Sequence, residues 1–357
     1  MNPNRTGSDN LSTHRIPAKN PWLAVNLSML FPGLGLIYAN RFPEGGCFLA
    51  LELAVLTILG WSVFGANGNT MVGLALILPA IFIYVASLFE SYRCVSGISI
   101  LAAQNRLNRQ KDPWFAVFLS QLIPGLGHFH LEDLVTGSAL MVLTLIALGL
   151  SSRSSWLLLA PPLLYAIACY HISTAFQPQF RSRQQLLLLL ITAIMVLRLT
   201  LGSIPIWVRF FVEPFIVPSS SMLPTLQVGD RIFVDKSPAY RPRQEDLIVF
   251  QAPQAALAGD SKKIRFYVKR IIGEPGQIIQ VKDWRVYVDG LPLQENYIAE
   301  PPAYLWGPKT VPPGSYFVMG DNRNDSFDSH VWGFLSQSQI IGRAYKIYWP
   351  PRRIKAL

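Results

Sequence analysis

Six apolar stretches crowd the first 176 residues, near 22–38, 46–64, 71–89, 115–129, 134–151 and 155–175, and a seventh lies near 186–207. Inside a bilayer every backbone N–H and C=O must be paired within the protein, so such stretches fold as helices. Crossing needs about twenty residues. Charge follows the same division. Residues 1–212 hold 13 Lys/Arg and 7 Asp/Glu, whereas 213–357 hold 18 and 14. The whole chain is only 15% charged, against about 25% in soluble domains. A membrane part followed by a water-soluble part is expected.

The membrane part carries an internal repeat. Residues 20–38 read NPWLAVNLSMLFPGLGLIY and residues 112–130 read DPWFAVFLSQLIPGLGHFH. Pro-Trp, Ala-Val, Leu-Ser and Pro-Gly-Leu-Gly coincide, and Gly45 aligns with Gly137, so 20–92 and 112–176 look like a duplicated unit. The Pro-Gly-Leu-Gly turn weakly resembles the two-span modules called TM2 domains. The stretches bearing that turn are short and broken by Pro and Gly, so re-entrant or interfacial segments are expected there. The basic loop with Arg93, Arg106, Arg109 and Lys111 should be cytoplasmic. That favours two crossings per unit and five in total; three per unit would give seven. Two like units add an even number either way. Arg181 and Arg183 then precede a last outward helix, which contains Arg198. His128, His130, Glu132 and Asp133 are expected to form an interfacial cluster, because Leu36 and Tyr38 replace the histidines in the first unit.

The net charge of +10 does not point to nucleic acid. No basic run interleaved with aromatics occurs in 213–357, and the cations flank membrane segments beside anionic lipid. Cys47, Cys94 and Cys169 all precede 213, so the soluble part has no cysteine nucleophile and no disulfide. The first twenty residues are polar and lack an early apolar core, so an uncleaved rather than a cleavable signal is expected.

From 213 onward short Val/Ile/Phe/Tyr runs alternate with Gly, Pro, Asp and Asn. They predict strands at 231–235, 246–250, 264–272, 277–281, 285–288, 315–319 and 342–348. Asp289-Gly290 is a hairpin signal. A mainly antiparallel β domain with few helices is expected. Ser221 lies in a loop stiffened by Pro218 and Pro224. Lys269 shares a strand face with Tyr267 and Ile271, and burial there would lower its pKa and free it to take a serine proton. His330, near Asp328, is the one histidine of the soluble part and the competing base. No H-E-x-x-H or cysteine cluster suggests zinc, and neither a metal nor a cofactor is expected.

Three runs, in order, resemble type I signal peptidases: Pro218-Ser-Ser-Ser221-Met-Leu-Pro-Thr-Leu226, Tyr267-Val-Lys269-Arg-Ile-Ile-Gly273 with Glu274-Pro-Gly276, and Gly320-Asp-Asn-Arg-Asn-Asp-Ser326-Phe-Asp328-Ser with Trp332-Gly333. The resemblance covers about residues 205–350. It implies Ser221 as nucleophile, Lys269 as general base and then acid, the Ser221 N–H and Ser219 hydroxyl as oxyanion donors, Ser326 orienting Lys269, and Asp328 in support. It implies that Phe215, Val217, Leu226, Tyr267 and Val268 line pockets for small side chains, with Met222 beside the nucleophile at the membrane-facing edge. Three positions depart from the family: Asn324-Asp325 is inverted, His330 stands where arginine usually pairs with the aspartate, and Ser220 replaces a common glycine.

The implied architecture is an α-helical polytopic membrane region followed by a mainly β soluble catalytic domain of signal-peptidase-like antiparallel fold. The expected parts are a cytoplasmic tail 1–21, repeat unit 22–92, basic cytoplasmic loop 93–113, repeat unit 114–176, final transmembrane helix 185–208 and extracytoplasmic domain 209–357. The implied activity is removal of signal peptides from exported pre-proteins after a small-x-small motif. The lipid bilayer and the translocation machinery are the further partners, and the protein is integral to the plasma membrane or an equivalent internal one. A degenerate membrane assembly protein and a self-cleaving serine/lysine regulator are the alternatives.

Overall fold

The computed structural model describes residues 19–100, 112–150, 160–174, 212–259 and 265–357, with single and short runs between 189 and 211. Most of the tail, the basic loop and the final helix, including Arg198, lie outside the described residues. Two compact units divide the chain: 1–54 with 79–202, and 55–78 with 203–357.

The first unit begins with two short helices where one apolar stretch was read. Helix α1 (Pro21–Leu30) is capped by the Asn20 side chain, which accepts from Leu23 N–H at 3.0 Å, and Pro21 opens it. At ten residues it rises only about 15 Å. Gly33 then turns the chain into α2 (Leu34–Tyr38) at φ 92°, where a Cβ would meet the Gly45 carbonyl oxygen at 2.1 Å. Helices α6 (Pro113–Leu122) and α7 (Leu126–His130) are built alike. Asp112 caps α6, Gly125 turns at φ 100°, and its Cβ would meet the Gly137 oxygen at 2.1 Å. Ser28 accepts from Gly35 N–H at 2.8 Å, and Ser120 from Gly127 N–H at 3.1 Å. Buried side chains tie α1 to α6: Asn26 donates to the Trp114 carbonyl and accepts from Gln121. His128 is buried, with Nε2 3.0 Å from His171 Nδ1.

Helix α3 (Phe42–Phe64) follows, then α4 (Thr70–Ala75) and α5 (Ile77–Ile100). Phe42–Phe64 and Thr70–Ser96 are the two helices, among the described residues, long and apolar enough to cross a membrane. Helices α8 (Leu134–Leu150) and α9 (Ala160–Thr174) are shorter.

The second unit carries two antiparallel sheets. The larger holds β1 (Val212–Ile216), β2 (Arg231–Asp235), β3 (Leu247–Gln251), β4 (Phe266–Gly273), β9 (Ser315–Met319), β10 (Leu335–Ser336) and β11 (Ile340–Trp349), in the order β1-β2-β11-β3-β4-β9-β10, with β12 (Lys355–Ala356) on β11. The smaller holds β5 (Ile278–Lys282), β6 (Arg285–Val288), β7 (Leu291–Pro292) and β8 (Trp306–Thr310). All seven expected strands form within two residues of their predicted ends. Asp289 and Gly290 turn the β6–β7 hairpin with φ of 52° and 80°, as two-residue hairpins need. Strand β1 is not among the expected strands; it holds Pro214, whose missing N–H costs nothing at a sheet edge. One core packs Val217, Met222, Leu226, Ile232, Val249, Val268, Ala344 and Ile347; another packs Ile248, Phe250, Ile271, Tyr316 and Val318.

Candidate active site

Strand β4 lies near the middle of the larger sheet, between β3 and β9, with Lys269 opposite Ile248. That register takes the lysine out of water: it is 3% exposed. Burial pushes its pKa down to about 8 from 10.5, while Asp328, Asp321 and Asp325 pull it upward. The ammonium stem ends 2.6 Å from Ser221 Oγ and 3.0 Å from Ser326 Oγ. Ser221 sits on a single 3-10 turn, 220–222, 8% exposed. Ser219 Oγ is 3.2 Å from Ser221 Oγ.

The 320–329 segment braces this turn from the other side. Asn322 N–H donates to the Ser221 carbonyl at 3.1 Å, and Ser220 Oγ donates to Asp325 at 2.7 Å. The serine at 220 and the aspartate at 325 are thus paired with each other. Gly320 fits only because it lacks a side chain: a Cβ would meet Ser326 Oγ at 2.2 Å and the Ser221 carbonyl oxygen at 2.4 Å. Asp328 is fully buried and accepts from Gly320 N–H at 2.8 Å. His330 Nδ1 lies 2.7 Å from Asp328 Oδ1, in the arginine's place, and its ring stacks on Tyr304 at 4.2 Å. Burial raises the Asp328 pKa, but bonds from His330 and Ser326 and the charges of Lys269 and His330 outweigh it, so the carboxyl titrates below its usual range. His330 therefore faces the support carboxylate, and the Ser221 hydroxyl faces Lys269.

Sequence reasoning missed a second brace. Arg270 grips Asp321 through two bonds of 2.8 and 2.6 Å, Thr225 donates to the same carboxylate, and Tyr297 stacks on the guanidinium at 3.9 Å. Arg323 pairs with Glu295 within the same wall. These partners lie tens of residues apart, so no local pattern announces them.

A cavity of about 180 Å³ is lined by Phe215, Ile216, Val217, Pro218, Ile232, Val249, Arg265, Phe266, Tyr267 and Val268, among them the chain segments that lead into Ser221 and Lys269. Four expected pocket residues, Phe215, Val217, Tyr267 and Val268, are on its wall. Met222 and Leu226 are not. Both are fully buried and pack with Val217 and Ile232, because the turn folds its apolar side chains into the core. Among the described residues no group of three or more His, Cys, Asp and Glu could hold a metal.

The profile of the family "Signal peptidase, peptidase S26" matches residues 184–349. A signal peptidase I of Leptolyngbya laminosa is 46% identical over 150 residues, 42% of this chain and 74% of that protein. A probable signal peptidase I-1 of Synechocystis sp. is 51% identical over 148 residues, 41% of this chain and 76% of that one. Thylakoidal processing peptidase 1 of Arabidopsis thaliana, a chloroplast protein, is 40% identical over 40% of this chain and 43% of its own length. The profile spans the region that brings Ser221, Lys269 and Ser326 together, and by identity of this order across about three quarters of two relatives the chain belongs to the type I signal peptidases, serine endopeptidases of family S26.

Proposed function

We propose that the protein cleaves signal peptides from exported pre-proteins with a Ser221–Lys269 dyad. The observation that carries this is the 2.6 Å contact between a buried Lys269 amine and the Ser221 hydroxyl. Burial favours the neutral amine, which takes the Ser221 proton as Oγ attacks the scissile carbonyl. The oxyanion is held by the Ser221 N–H and the Ser219 hydroxyl. Lys269, now protonated, gives its proton to the leaving amine, and water then clears the acyl-enzyme by the same route in reverse. Ser326 holds the amine in line, and Asp328 holds Ser326 and the Gly320 backbone. The cavity walled by Phe215, Val217, Tyr267 and Val268 takes the small side chains before the cut.

The membrane organisation extends this reading. The two repeat units and a final helix near 185–208 anchor the domain, which works on the extracytoplasmic or lumenal side, with 1–21 and 93–113 in the cytoplasm. The cations before each outward segment support that orientation. Lipid, and the translocation machinery that delivers substrate, are the partners this placement requires.

The test is cleavage of a pre-protein with an Ala-x-Ala site by the purified protein in liposomes. Ser221→Ala and Lys269→Ala should each abolish it without unfolding the protein, since groups acting as a unit lose nearly everything on either deletion. Lys269→Arg should be inactive too, because a guanidinium stays protonated. Full activity in Lys269→Ala would remove the dyad and promote His330.

A further inference from the structure

The C-terminal end of α3 is not left to solvent. The last carbonyls of a helix lack partners within it. Here Lys346 Nζ, on β11, donates to the carbonyls of Ser62, Val63 and Gly65 at 3.0, 2.8 and 3.0 Å. Tyr345 OH donates to the carbonyl of Phe64, between them, at 3.0 Å. An ammonium has three donors, and all three are used. Lys346 is fully buried, so no water shares the duty. Its positive charge meets the negative end of the helix dipole, while burial pulls its pKa below the usual lysine value. Around this cap the aromatic rings interlock: Phe64 lies 5.8 Å from Phe233, which stacks on Tyr348 at 4.1 Å. Strand β11 also places Ala344 and Ile347 in the core that holds Val217 and Met222, beside the nucleophile.

Taking α3 and α5, the two helices long enough to cross among the described residues, as the crossings of the first repeat unit in the membrane anchoring proposed above, we infer that the 65–69 turn is a docking post on which the catalytic domain is seated through Lys346 and Tyr345. Two consequences follow. The turn shares a side of the membrane with the active site, so α3 starts on the opposite side, α1 and α2 do not cross, and the chain makes five crossings rather than seven. The post also fixes how far Ser221 stands from the bilayer, and so which bond of a membrane-held signal peptide reaches it. A misplacement of about 1 Å at a reacting centre can cost as much as about 10²-fold in rate.

The experiment has two arms on the full chain. In a background lacking Cys47, Cys94 and Cys169, single cysteines at Asn67 and Lys309, both exposed, are treated with a membrane-impermeant thiol reagent from the catalytic side. Both should label. Labelling at Lys309 with protection at Asn67 overturns the post and leaves the peptidase assignment intact; protection at Lys309 instead refutes the orientation proposed above, and the post with it. In the second arm, Lys346→Met is assayed on a pre-protein in liposomes and on a soluble peptide spanning the cleavage site. The pre-protein rate should fall about tenfold or more, with the peptide rate unchanged. Equal loss on both, or loss on neither, refutes the positioning role. Tyr345→Phe, which removes one hydroxyl, gives the same comparison should Lys346→Met fail to fold, and it should show the same selectivity at smaller size.

Discussion

Lys269 is where physical chemistry and sequence meet most directly. Alternation alone put it on an apolar face, and burial, against the upward pull of Asp328, Asp321 and Asp325, brings its pKa to about 8. In the proposed mechanism the neutral amine is the active form, so kcat/KM should rise about tenfold per pH unit below pH 8 and level off above it. The same shift bears on stability. The unfolded lysine keeps its proton to about 10.5, so the cost of burying the ammonium is full below about pH 8 and fades as pH climbs from 8 to 10.5. A profile flat from pH 6 to 9 would deny Lys269 the role of base. The supporting hydroxyls separate by function. Ser219→Ala should cut kcat by about 10²–10³, the usual loss for one oxyanion donor. Ser326→Ala should also slow the enzyme, by freeing Lys269 Nζ, and His330→Ala should cost least of the three. Steady-state kinetics on one peptide decide the order; His330→Ala as the worst variant would break the proposed roles. Stiff flanks and an apolar face single out Ser221 and Lys269, while the roles proposed for them come from the family resemblance. The grip of Arg270 on Asp321 could not be read from the sequence, because its partner is 51 positions away and no local pattern links the two.

At the scale of elements, the site is a turn pressed between a strand and a loop. Gly320 is the contact point. Replacing it with alanine drives a methyl group into Ser326 and the Ser221 carbonyl. Backbone atoms cannot yield there as a flexible side chain would. Gly320→Ala should therefore lose activity by more than about tenfold and lower Tm, at the upper end of ordinary destabilisation of about 3 kcal/mol. Gly314→Ala is the control for stability alone: a Cβ there meets nothing, although its φ of 68° still strains an alanine. Comparing Tm and kcat for the two separates crowding from strain. The strands of this domain were legible because period-two alternation survives wherever one face is buried. Strand β1 was hidden by Pro214, and β8, Trp-Gly-Pro-Lys-Thr, by Gly and Pro within it. Such strands exist by tertiary pairing, with no local preference behind them. In the helical unit the break in the apolar stretch 22–38 was legible in its Pro-Gly pair, and the left-handed Gly33 makes it.

On the scale of the whole molecule, the described catalytic unit is not a contiguous piece of chain: residues 55–78 belong to it together with 203–357. Nothing in the local sequence of β11 hints at this, since Ala-Tyr-Lys-Ile-Tyr reads as any strand and the acceptors of Lys346 lie more than 280 positions earlier. A fragment starting at 203 should thus expose Phe233, Tyr345 and Tyr348 together, and it should aggregate without detergent or melt several degrees below the full chain. Light scattering and a melting curve for the two proteins test it; a monodisperse fragment of equal Tm would mean that the helical end adds nothing. The bond from Ser220 to Asp325 has another kind of consequence, in time. Its two ends are 105 positions apart, so the ribosome delivers the nucleophile long before the residues that hold it in place. During that interval the proposed site has a serine but no brace, and Lys269 has no Ser326. On the proposed mechanism the chain therefore has no competent site until its last part has been made, whatever the earlier segments have already done.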